Sequence, residues 1–264
     1  YTPDLRTLRV EEQKVVGEFF EALYRDDFQM YLQPKFLLGK EIIYGAEALA
    51  RWKKQDGTIV PPAYFIDSLE KIGYITELDF YIFEEVLKTL DKWNRQRRRK
   101  IIVSTNFSGR HFEGNGEEFL NRIAHIMSKY TVLPSNIEIE VTEGILVKNV
   151  EVLKNCMNRL HEMGFRIAID DFGTGYSSLS MLADMPADVI KIDKSFINVG
   201  MTDQKLKLLC EIGRMVKILG KDIIIEGVET KAQEQFLIDG GFECGQGFLC
   251  NRPVSLGEFE RLYL

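Results

Sequence analysis

The chain has no apolar run long enough to span a bilayer, which excludes a membrane-crossing helix within it. It holds only four cysteines, Cys156, Cys210, Cys244 and Cys250, and none is spaced as a paired metal ligand. That argues against a disulfide frame or a zinc site and reads as reduced thiols of a cytoplasmic domain. Its three histidines form no cluster, and positive charge is not in excess: the formal net charge is −6. A nucleic-acid polymer is therefore not an expected partner. The exception is the basic run Arg95 to Lys100, at the end of a long helical pattern. It reads as a solvated helix end favoured by the helix dipole. No linker rich in Pro, Gly or Ser divides the chain, no low-complexity stretch breaks it, and no stretch within it reads as a signal peptide. The chain opens on Tyr1 rather than Met, which leads us to expect a piece of a longer protein.

What is present is a length of 264 residues, enough to bury a full core, with strand-like and helix-like segments in alternation. Residues 11 to 25 carry Val15, Val16, Phe19, Phe20 and Leu23 at helical spacing. We expect residues 1–26 to be a leading helix, the end of an interdomain linker, and 27–264 to be one barrel domain. Strand-like runs follow at Phe28 to Gln33 and Glu41 to Leu49, joined by a few residues around Gly39. That link is too short for a parallel crossover, so the pair should be antiparallel. Further strands are expected at Ile101 to Asn106, Ile137 to Thr142, Ile167 to Ile169, Asp188 to Ile192, Asp222 to Glu226 and Glu243 to Leu249. Helices fall between them. Asn149 reads as a helix N-cap and Gly164 as a helix stop. The pattern predicts an α/β fold, a modified TIM-type (β/α)8 barrel with its first strand antiparallel to the rest.

The stretch Arg166 to Ser178 is the least ordinary. A short apolar run, Ile167 to Ile169, ends in two adjacent acids, Asp170 and Asp171, followed by Phe-Gly-Thr-Gly. Like charges side by side repel, and each loses hydration unless a cation compensates. Two readings stand: a divalent metal site beside a tight loop, or a solvated turn in which Asp171 caps the next helix.

In a barrel, polar residues at the C-terminal strand ends face the active site. Glu47, Asn106, Glu140, Asp170 with Asp171, Lys191, Glu226 and Gln246 fall there in succession. Each alone has a bland reading; Glu140 on an alternating strand is solvated, and Lys191 is an internal ion pair. Five carboxylates meeting at one barrel end would be strongly destabilising without cations. Hard oxygen ligands suit Mg²⁺ or Mn²⁺, and the set suffices for two ions. Such a pair clamps the attacking and leaving oxygens of a phosphodiester. Lys191 suits a bound water or transition-state charge, and Arg51 suits a phosphate oxygen.

The sequence resembles the EAL-domain cyclic di-GMP phosphodiesterases along nearly its whole length. The matching motifs are Gln33-Pro34, Glu47-Ala48-Leu49 with Arg51-Trp52, Asn106-Phe107-Ser108, Glu140-Val141-Thr142-Glu143 and Asp170 to Gly175. Downstream are Lys191-Ile192-Asp193, Glu226 to Thr230 and Gln246-Gly247-Phe248. The resemblance implies metal-dependent hydrolysis of cyclic di-GMP to linear 5′-pGpG, lowering a bacterial second messenger. It implies that Glu47, Asn106, Glu140 and Asp170 hold one Mg²⁺ or Mn²⁺, and that Asp170, Asp171 and Glu226 hold another. Lys191 and Gln246 would contact the catalytic water, and Glu143 would brace the loop from Asp171 to Ser178. Gln33, Arg51 and Asp193 would contact the nucleotide. A homodimer coupled through that loop, and an N-terminal sensory or cyclase domain in the full-length protein, are also implied. The departures are Gly144 for a common serine, Ile225 for a frequent alanine and Lys194 for a frequent arginine. None of these is a ligand position.

Two other functions compete with this one. A catalytically silent cyclic di-GMP receptor would typically have lost ligands or the loop, and nothing here is lost. An unrelated Mg²⁺-dependent barrel enzyme using Lys191 as a base is permitted by the acids alone but not by the full motif series.

Overall fold

A computed structural model describes residues 17–147, 149–175, 179–198 and 202–264. Eight strands close into a barrel: β1 (Phe28–Leu37), β2 (Ile42–Lys53), β4 (Ile102–Asn106), β5 (Ile137–Thr142), β6 (Arg166–Phe172), β7 (Val189–Ile192), β8 (Asp222–Ile225) and β9 (Cys244–Gln246). Two short strands, β3 (Ile59–Val60) and β10 (Val254–Ser255), extend it at β2 and β1. The seven barrel strands β2 and β4 to β9 are mutually parallel, whereas β1 is antiparallel to both its neighbours in the barrel, β2 and β9. The expected reversal of the first strand is thus present. It follows from the tight hairpin, in which Gly39 takes φ of +70°.

Helices cover the outside: α1 over 17–24, α2 (Pro62–Ile72), α3 (Ile75–Arg95), α4 (Glu117–Met127), α5 (Val150–Glu162), α6 (Leu179–Asp184), α7 (Ser195–Asn198), α8 (Asp203–Ile218), α9 (Lys231–Asp239) and α10 (Leu256–Tyr263). None among the described residues is long and apolar enough to cross a membrane. Pro62 opens α2 at its first position, where the missing N–H costs nothing. Asn149 occupies the N-cap position of α5 but does not cap it; its side-chain amide donates instead to the carbonyl of Phe112 at 3.3 Å. In α1, Phe19 is fully buried, with its ring 5.6 Å from that of Phe28, so this helix packs on the barrel wall.

The period-2 alternation of the strands divides the core into an outer and an inner part. Ile137, Ile139 and Val141 of β5, Ile167 and Ile169 of β6, and Ile190 and Ile192 of β7 join the large apolar cluster that includes the helices' buried faces. The alternate residues Ala168 and Val189, with Ile224, form a separate small cluster with Tyr44 and Cys244. Polar side chains fill the rest of the interior: Glu138, Glu140, Lys35 and Lys191 are all buried. On β5 the polar side of the alternation therefore faces the barrel interior. Solvation of Glu140, the bland reading of this strand, does not hold; its residue exposure is 0%.

Candidate metal and phosphodiester site

Each strand delivers its polar residue where the alternation and the strand end place it. Glu47 on β2 accepts from the Asn106 side-chain amide of β4 at 2.7 Å, and through its other oxygen from Gln246 of β9 at 2.5 Å. Donation by the Asn106 nitrogen leaves its carbonyl oxygen for a further partner. Gln246 also donates to the side-chain oxygen of Gln33 at 3.3 Å, so the reversed strand β1 contributes to the same network.

Lys191 on β7 is fully buried, and its ammonium lies 3.3 Å from Glu47, 2.8 Å from Glu140, 2.9 Å from Asp170 and 2.9 Å from Glu226. An ammonium has three N–H donors, fewer than the carboxylates that surround this one. Burial opposes the charge on Lys191, but Asp170, Glu140, Glu47 and Glu226 outweigh it and raise its pKa well above that of an ordinary lysine. Burial likewise opposes ionisation of Glu140, yet Lys191 and Lys35 hold its pKa down to about 2. Asp170 is pushed well up by burial, against Lys191, with Glu140, Glu226 and Glu47 adding to the rise. Burial raises Asp171 and Glu226 as well.

The acid pair at the end of β6 is made usable by a backbone irregularity. The β6–β7 register shifts between Ile169 and Phe172, and Asp171 takes a left-handed φ of +56°. Aspartate tolerates that region better than most residues. The result is two ligand-like groups that share one residue. Oxygens of Glu47, Glu140 and Asp170 lie within 4.8 Å of one another, and so do those of Asp170, Asp171 and Glu226.

The donor set fits divalent cations on charge and on chemistry. Glu47, Glu138, Glu140, Asp170, Asp171 and Glu226 make six carboxylates, against the two ammonium groups of Lys35 and Lys191. When ionised they leave four negative charges over, the charge of two divalent cations. Arg166, which also reaches Glu138, is matched by Asp222 at 2.9 Å. The buried Gln246 side-chain oxygen has no protein donor among the described residues, as suits an acceptor for a bound water.

Around this centre lie the other residues expected from sequence. Glu143 accepts the backbone N–H of Gly173 at 2.7 Å and of Gly175 at 3.1 Å, tying down the start of the loop after β6. Tyr176, Ser177 and Ser178, also part of that expectation, lie outside the described residues. Gly173 takes φ of +97°, and a Cβ there would run into the ring of Phe196. Gly173→Ala is accordingly expected to destabilise the fold by about 1–3 kcal/mol. An unchanged melting temperature would show that neither the left-handed backbone nor the Phe196 ring resists a β-carbon there.

Arg51 is half-buried, donates to the carbonyl of Ala50 at 2.8 Å and lies over the Tyr31 ring. It lines a cavity of about 430 Å³ with Leu49, Pro62, Ile66, Asn106 and Phe107, and Asn106 in turn donates to Glu47. The Asp193 carboxylate accepts the N–H of Ser195 at 2.9 Å, at the start of α7.

Sequence reasoning missed Lys35 and Glu138. Lys35 donates to Glu138 and to Glu140, each at 2.7 Å, beneath the carboxylate ring. The signal was the matched alternation of Gln33 with Lys35 and of Glu138 with Glu140, two polar rows that become neighbours only across a closed barrel.

Comparison with known proteins agrees with this geometry. A family model described as EAL domain matches residues 17–253. Signaling protein YkoW of Bacillus subtilis is 36% identical over 259 residues, covering 98% of this chain and 32% of the relative. Cyclic di-GMP phosphodiesterase PdeR of Escherichia coli is 30% identical over 264 residues, covering 100% of this chain and 39% of the relative. The chain thus spans about a third of the length of these relatives. Among solved structures, the PaMucR phosphodiesterase in complex with c-di-GMP superposes with a TM-score of 0.86 at 30% identity, covering 93% of this chain and 99% of that one. With the family model matched over most of its length and the reversed-strand barrel in place, the chain belongs to the EAL domain family.

Proposed function

We propose that this chain hydrolyses one phosphodiester bond of cyclic di-GMP to linear 5′-pGpG, with Mg²⁺ or Mn²⁺ held at two positions. The observation that carries the reading is the pair of carboxylate groups joined through Asp170, set round a buried lysine at the C-terminal end of the barrel strands. Glu47, Asn106, Glu140 and Asp170 would hold one ion, and Asp170, Asp171 and Glu226 the other. Bound divalent cations supply Lewis-acid polarisation of the phosphate and a lower pKa for bound water.

The remaining work falls to this chain's own side chains. Gln246 offers a buried acceptor for the water's proton and is itself held by Glu47. Lys191 places a fixed positive charge among the ligands, where charge on the phosphate develops. Arg51 and the apolar cavity beside it suit a phosphate and a guanine base; Gln33 and Asp193 would complete the nucleotide contacts. Glu143 holds the loop after β6 by two backbone N–H groups. In the reaction the water oxygen bonds to phosphorus and the bond from phosphorus to the 3′ oxygen breaks. The water's proton ends on the leaving 3′ oxygen, which leaves a 5′-phosphorylated product.

The test is conversion of cyclic di-GMP by the purified chain in Mg²⁺ and, separately, in Mn²⁺, followed as pGpG. Product that forms with metal and ceases in chelator is the expected result. Binding without product in either metal would replace this reading by that of a receptor. Failure even to bind would overturn both.

A further inference from the structure

We propose that Lys35 is a positioning residue of the metal site, acting through Glu140; the inference rests on the metal-binding half of the function proposed above. Lys35 lies on the reversed strand β1, is 1% exposed, and sends its ammonium 2.7 Å from one Glu140 oxygen and 2.7 Å from one Glu138 oxygen. The second Glu140 oxygen faces Lys191 at 2.8 Å. Glu140 is therefore held from both sides. Lys35 fixes the carboxylate from below, and that contact sets the direction in which the oxygen facing Lys191 meets Glu47 and Asp170.

Stability does not account for this arrangement. Buried ion pairs are commonly matched or bettered by apolar side chains of similar volume, because desolvation offsets the attraction. The barrel nonetheless buries Lys35 with two carboxylates from one strand, and continues the series outward. Glu138 reaches Arg166 at 3.5 Å, and Arg166 reaches Asp222 at 2.9 Å near the barrel's opposite end. Without Lys35, Glu138 would keep only Arg166 at 3.5 Å and Glu140 only Lys191 at 2.8 Å, and the two like charges, two residues apart on one face of β5, would lose the ammonium that lies between them. Glu140 would then lose the contact that orients it. A local irregularity supports a dedicated placement: the β1–β2 register shifts between Lys35 and Phe36, immediately after the lysine. Groups that orient metal ligands without touching the metal typically carry tenfold to about a hundredfold in affinity.

The experiment is calorimetric titration of the metal-free protein with Mn²⁺, beside its melting temperature in chelator. Lys35→Met alone leaves the buried Glu138 with only the longer contact to Arg166 at 3.5 Å and is at risk of not folding. The decisive variant is therefore Lys35→Met with Glu138→Gln, which removes both charges together. We expect this double variant to fold with a melting temperature in chelator close to that of the parent, while its Mn²⁺ dissociation constant rises at least about tenfold. The metal concentration giving half-maximal turnover should rise in step, with the substrate KM at saturating metal unchanged. A folded double variant whose Mn²⁺ affinity stays within about twofold of the parent would overturn the Lys35 proposal and leave the phosphodiesterase reading standing. A parent protein that binds no Mn²⁺ would overturn that reading and this proposal together.

Discussion

Glu47→Ala is expected to lower turnover of cyclic di-GMP by at least about a thousandfold, which is about 4 kcal/mol of barrier at 1.36 kcal/mol per tenfold. The size follows from the number of groups that depend on this one carboxylate. One oxygen holds the Asn106 amide at 2.7 Å; the other takes Gln246 at 2.5 Å and faces Lys191 at 3.3 Å. Loss of Glu47 thus removes a proposed ligand and releases two more candidate site residues from their set orientation, and such effects do not add as independent terms. Folding should suffer far less. One carboxylate fewer around Lys191 relieves like-charge repulsion, and three remain to pair with the ammonium. The melting temperature in chelator should therefore stay near that of the parent. Turnover within tenfold of the parent, measured at saturating Mn²⁺, would remove Glu47 from the site.

Lys191→Met carries the second large effect, and here stability and turnover should fall together. Four carboxylates surround this ammonium, and Lys35 directly reaches only Glu140 among them. Taking away one partner of a buried ionic cluster leaves charge uncompensated in a low-dielectric interior, at a cost of about 3–5 kcal/mol. In chelator the variant should melt about 10 °C lower, at the conversion usual for a domain of this size. Divalent cations should return much of that loss, because they neutralise the same carboxylates by mass action. Turnover should stay low even when stability is restored, since the fixed positive charge at the reacting phosphate is gone. A variant that melts like the parent in chelator would show that the carboxylates share protons instead of relying on Lys191. Full turnover in Mn²⁺ would show that the ammonium takes no part in the chemistry.

Much of this site was legible because barrel geometry ties sequence position to spatial position. A polar residue at the end of a strand in an alternating series has few places to go, so the sequence alone gathers Glu47, Asn106, Glu140, Asp170, Lys191, Glu226 and Gln246 at one barrel end. The strand order followed from the hairpin at Gly39 and from alternation with helices. The acid pair posed a harder problem. Neighbouring residues on a regular strand point to opposite faces, so Asp170 and Asp171 converge only through the register shift and the left-handed backbone at Asp171. A turn of some kind was foreseeable, but not its form.

Lys35 and Glu138 show where local reading stops. A lysine alternating with glutamine on a strand, or two glutamates alternating with isoleucine, describes an ordinary solvated face equally well. Helices on the outside make the apolar row the outer one, and closure turns the polar row inward, where it must be neutralised from across the barrel. The residues of Lys35 and Glu138 lie 103 positions apart in the chain. The sequence by itself determined the alternation of elements, the reversed first strand and the chemical types at the strand ends, because these rest on short-range periodicity and turn length. Only the tertiary structure decided which charges meet, because the 2.7 Å contacts of Lys35 with Glu138 and Glu140 exist only once the barrel has closed.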